Sequence, residues 1–123
     1  MNYYVLGYLV GMGRKSRAAQ QDIWRDLRSL AYFGLCDCDR LLKSEDSAIQ
    51  YCRRALTYVS DDPYLHLALG ELYAKKARAT NDIGLVAAAA KSFRTMLSLN
   101  DQMPDAERVK TMLKSFDALL AQQ

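Results

Sequence analysis

Apolar stretches with helical spacing alternate along this chain with short polar breaks. Ile23, Trp24, Leu27, Leu30, Ala31, Leu35, Cys38, Leu41 and Leu42 recur at three- and four-residue steps, the spacing that gathers side chains on one face of an α-helix. Nothing between Ala18 and Lys43 forces a stop, so this stretch predicts one long helix or two helices with a soft joint near Gly34. Glycine inside a helix costs about 1 kcal/mol relative to alanine, so Gly34 is expected to have a packing role. Four further faces follow. They run through Ala48, Ile49, Cys52, Ala55 and Leu56; Leu65, Leu67, Ala68, Leu69, Leu72 and Ala77; Val86, Ala89, Ala90, Phe93 and Leu97; and Val109, Met112, Leu113, Phe116 and Leu119.

The breaks carry helix-start chemistry. Ser44-Glu45-Asp46-Ser47 offers acidic residues to a helix N-terminus. Asp61-Asp62-Pro63 combines a capping aspartate with a proline that has no N–H to leave unpaired. Thr80-Asn81-Asp82 caps a helix beginning near Ile83, and Pro104 marks the start of a last one. The N-terminal stretch, Met1 to Val10, is apolar and predicts a buried or partner-covered helix before the loop Gly11–Ser16. It has no basic leader and no small-residue cleavage site, and it is shorter than the roughly 20 residues a spanning helix needs. The pattern predicts an all-α fold of about six helices in antiparallel hairpins joined by short loops.

Composition narrows the function classes. The 123 residues suit one domain, and 50% are apolar, enough for a core. A net charge of +3 makes no electrostatic case for nucleic acid. The basic run Arg14, Lys15 and Arg17, with Arg25 and Arg28 interleaved by Asp22 and Asp26, reads as a solvated helix face. Cys36, Cys38 and Cys52 are an odd set without framework spacing, which predicts unpaired thiols in a reducing, cytoplasmic compartment. Cys36 and Cys38 lie about 200° apart around a helix axis, so they cannot share a zinc ion with Cys52 and His66. His66 is the single histidine and stands in no known catalytic motif; Gly11-Met12-Gly13 lacks the rest of a phosphate loop. No catalytic, cofactor or metal residues are expected, and the chain reads as a binding protein rather than an enzyme.

Two segments share one pattern. Gly34, then Ala48, Cys52, Ala55-Leu56 and Asp62-Pro63 parallels Leu69-Gly70 with Tyr73, then Ala89, Phe93, Met96-Leu97 and Pro104. Small residues let helices approach closely while larger ones fill the gaps, and one such unit cannot bury its face alone. The pattern resembles the tetratricopeptide repeat. That resemblance divides the chain into an N-terminal helix and loop at 1–15, a repeat at 16–63, a second at 63–104 and a capping helix at 104–123, a TPR-like α-solenoid. Gly70 to Ala89 exceeds the family spacing by about two helical turns in a repeat of about 34 residues, so the hairpin around Ala79–Gly84 should protrude. His66 stands where the family has tryptophan, and Cys52 where an aromatic is usual.

In the resembled family the first helix of each pair lines a concave surface. Here that implies partner-binding residues Arg28, Tyr32 and Leu35 on one helix, with Ala31 among them. On the next helix it implies Tyr64, Leu67, Glu71 and Lys75, with Ala68. The Lys, Asn and Arg set that grips a peptide carboxylate in some members is replaced by Ala, Leu and Tyr. An apolar, tyrosine-bearing groove suits an inserted helix or extended apolar segment of a partner protein. The competing reading packs Tyr32 and Tyr64 against neighbouring helices. The expected function is an interaction module or adaptor. The alternatives are a homodimer through Tyr3, Tyr4 and Tyr8, or a chaperone of the secretion or pilus type.

Overall fold

The structure, a computed structural model, describes residues 17–41 and 44–123, with side chains of α1 described from 25 to 37. Among the described residues the chain is five helices and no strand: α1 (Arg17–Leu41), α2 (Glu45–Tyr58), α3 (Pro63–Thr80), α4 (Ile83–Leu99) and α5 (Ala106–Ala121). The N-terminal helix expected at 1–10 lies outside the described residues.

α1 is one continuous helix, so no joint forms at Gly34. Gly34 is exposed, and a Cβ built there would meet nothing within 4 Å. The packing role expected of it is therefore not found. Gly34→Ala should stabilise the fold by about 1 kcal/mol, because it removes backbone entropy from the unfolded chain without a clash. Thermal unfolding followed by circular dichroism should show a midpoint raised by roughly 4 °C. A lowered midpoint would mean that this face is packed.

The capping signals work locally. The Asp62 carboxylate accepts the Tyr64 N–H at 2.9 Å, with Pro63 in the first turn of α3. The His66 Nε2–H donates to the Ser60 carbonyl at 2.9 Å, tying that turn to the loop before it. Asn81 ends α3 in the left-handed region at φ 52°, and the Asp82 carboxylate accepts the Gly84 N–H at 2.9 Å to start α4. The helices of this hairpin are 18 and 17 residues long, against 25 and 14 in the α1–α2 hairpin. α5 begins at Ala106 rather than Pro104, because residues 101–105 form turns that bury Met103.

α1 packs most closely on α2 and α3 on α4, with lighter contacts joining α2 to α3 and α4 to α5. One core gathers Cys36, Ala48, Ile49, Cys52 and Ala55 with Leu65, Leu69 and Leu72 of α3. A second gathers Phe93 and Met96 with Leu67, Val109 and Leu113, and Tyr73 of α3 packs against both. At the α3–α4 crossing Gly70 lies against the Phe93 ring: an added Cβ would sit 2.5 Å from its Cε1 atom.

Cys36 and Cys52 form a disulfide between α1 and α2, with Cα atoms 5.4 Å apart. This overturns the expectation of unpaired thiols and removes the argument that pointed to a reducing compartment. The physical reason was present in the helix geometry. Cys36 turns into the core, where the facing helix presents Cys52.

Candidate functional site

α1 and α3 flank a cleft of about 160 Å³ lined by Phe33, Asp37, Tyr64, Leu67, Ala68 and Glu71. Three of the expected binding residues, Tyr64, Leu67 and Glu71, come together there. Tyr64 is 56% exposed, whereas Leu67 is buried and belongs to the core beneath. Glu71 accepts from the Arg108 guanidinium of α5 at 2.6 Å, and Asp105 accepts from the same guanidinium at 3.1 Å. The two carboxylates, Glu71 first, hold the Arg108 pKa above its ordinary value.

The other expected residues lie elsewhere. Tyr32 stacks on Tyr58 and Tyr51 of α2, with ring centroids 5.7 Å and 6.4 Å away, and the Arg28 guanidinium sits 5.9 Å over the Tyr58 ring. These two pack within the α1–α2 hairpin and do not line the α1–α3 cleft. Leu35 is exposed but does not line the cleft. Lys75 pairs with Glu45 at 3.1 Å across a polar recess at the start of α2, beside Lys76 and Asp46 at 2.6 Å. A backbone hydrogen bond, then the Lys75 contact, holds the Glu45 carboxyl below its usual pKa, and Asp46 raises that of Lys76. Phe33 and Asp37 were not foreseen. Their spacing of four on α1 mirrors Tyr64 and Ala68 on α3, and that shared step was the available signal.

A second cleft is four times as large, about 670 Å³. It opens between the C-terminal half of α3, the start of α4 and the C-terminal half of α5. Ala74, Ala77, Ile83, Val86, Phe116 and Leu119 give it an apolar lining, with Arg78, Asn81, Asp82, Ser115 and Gln123 as its polar members. The end of α3 and the start of α4 run past the close α4–α5 contact at Phe93 and Phe116, whose rings lie 6.1 Å apart, and the small Ala74 and Ala77 leave room beside them. Ile83 and Leu119 at its mouth are 37% and 41% exposed.

The chain matches no family model, no curated protein and no solved structure. Its functional reading therefore rests on its own residues. No described helix is long and apolar enough to cross a membrane.

Proposed function

We propose that this chain is a tetratricopeptide-like interaction module that holds an apolar segment of a partner protein in the α3–α4–α5 cleft. The carrying observation is that cleft itself. Sites that bury a ligand usually enclose roughly 300–1,000 Å³ behind apolar walls with a few polar groups. At about 670 Å³ the larger cleft falls in that range, while the α1–α3 cleft, at about 160 Å³, admits little more than one side chain. Two helix hairpins followed by a capping helix support the repeat reading, as do the small residues at the α3–α4 crossing.

The lining also describes the occupant. Ile83, Val86, Phe116 and Leu119 ask for an apolar face; of the two charges in the lining, Asp82 is engaged as the cap of α4, and the exposed cation Arg78 favours an acidic residue beside it. An amphipathic helix with one carboxylate next to its apolar stripe meets both demands. A photo-crosslinking side chain at position 119, compared with one at position 64, tests this in the native cell. The expected product joins position 119 to such a segment of one partner, and Arg78→Glu reduces its yield at least about tenfold, the loss of one charge-assisted contact. Crosslinks confined to position 64 would move the site to the α1–α3 cleft. Crosslinks from position 119 to this same sequence would replace the adaptor reading with a homodimer.

A further inference from the structure

Among the described side chains of α1 only Ser29 and Cys36 are buried. Tyr32 and Phe33 pack half-buried at the edge of the same core. Beneath them α2 presents Ala48, Cys52 and Ala55, all fully buried. The corresponding positions of α4 carry Ala89, Phe93 and Met96, also fully buried. A phenylalanine and a methionine in the second hairpin are thus a cysteine and an alanine in the first. Ile49 against Ala90 returns part of that volume, but where α4 carries the Phe93 ring α2 carries Cys52, whose covalent bond joins α2 to α1. Arg28 lies over Tyr58, the last residue of α2, so the part of α1 before it runs on past the end of its partner.

We propose that the Cys36–Cys52 bond is a redox latch that decides whether α1 is docked. In the oxidised chain the bond pins the middle of α1 to α2. A dithiol reductant opens it in two steps: its thiolate attacks one sulfur, the S–S bond breaks and a mixed disulfide forms, and its second thiol then displaces the protein sulfur. The chain gains two electrons and two protons as the thiols of Cys36 and Cys52, and the reductant leaves as a disulfide. Cys36 is 1% exposed and Cys52 fully buried, so attack follows a lifting of α1, and reduction captures the lifted state. The core around Phe93 is made by α3, α4, Met103 and α5 with no described residue of α1, so it outlasts the release. This inference stands whether or not the larger cleft is a binding site.

Hydrogen exchange read by mass spectrometry on the full chain tests it, before and after dithiothreitol, with thiols counted by alkylation. A Cys38→Ser background keeps the third cysteine from exchanging partners. The air-oxidised chain is expected to carry one disulfide. On reduction, exchange should rise at least about tenfold across residues 25–37 and less than about twofold across 83–99. The Cys36→Ala/Cys52→Ala variant should show the reduced pattern without reductant. Absence of the disulfide, a reduced chain whose α1 stays protected, or loss of protection in α1 and α4 together would each overturn the latch.

Discussion

Replacing Phe93 with alanine should destabilise the fold by about 4 kcal/mol, the middle of the range for a fully buried aromatic. Phe93 is 0% exposed and sits where α4 crosses α3, so its removal leaves a cavity that neighbouring helices cannot close without moving. The loss should also depend on residue 70. In an exposed helix Gly→Ala gains about 1 kcal/mol. At position 70 the new Cβ would lie 2.5, 2.6 and 2.9 Å from three carbons of the Phe93 ring, where carbon atoms prefer roughly 3.5–4.0 Å. The ring is enclosed, so Gly70→Ala should cost about 1–3 kcal/mol as an overpacked site does. With Phe93→Ala in place the clash is gone and the same alanine should become neutral or stabilising. Urea unfolding of the four proteins should therefore give a coupling of about 2 kcal/mol or more in the double-mutant cycle. Equal effects of Gly70→Ala in both backgrounds would show that the crossing does not depend on this pair.

The same comparison shows what the sequence could and could not reveal. Gly34 and Gly70 occupy matching places in the two units, yet one faces solvent and the other a phenyl ring. The difference lies in which face of its helix each glycine occupies: Gly34 is two residues, about 200° around the axis, from the buried Cys36, whereas Gly70 looks into the α3–α4 crossing. Caps were legible because they are local: Asp62 with Pro63, and Asn81 with Asp82, need only their own neighbours. The disulfide was not, because counting three cysteines says nothing about which pair faces across two helices. The site was legible in kind more than in place. Apolar and tyrosine-bearing helices were evident, but Tyr32 is taken up by Tyr58 and Tyr51, and Leu67 by the core. The larger cleft depends on where α5 lies against the long α3–α4 hairpin, and Ala74 and Ala77 read along the chain simply as core residues.

Reducing the disulfide should cost the first hairpin about 3 kcal/mol, the loop-closure value for a crosslink across some 15 residues. The bond spans a sequence separation of 16 residues, so this figure applies without a long-loop correction. Its weight lies in what else holds α1. Full burial of one large aliphatic side chain contributes about 1.5–3 kcal/mol, and between residues 25 and 37 α1 buries none. Among the described side chains the Tyr32 stack, the half-buried Phe33 and the Arg28 contact with Tyr58 are anchors, each smaller than a fully buried side chain. Most helical stability in a protein comes from packing of the amphipathic face, so an undocked α1 should also lose helix. Far-UV circular dichroism should fall on reduction, before any denaturant, by up to the share of α1's 25 residues. In urea the oxidised chain should lose its helix in a single transition. The reduced chain should separate, with α1 melting first and the α3–α5 core following at a nearly unchanged midpoint, because no described residue of α1 contributes to that core. Identical helicity and identical urea curves in both redox states would mean that the aromatic contacts alone hold α1, and that the small residues Ala48 and Ala55 pack tightly enough to need no bond.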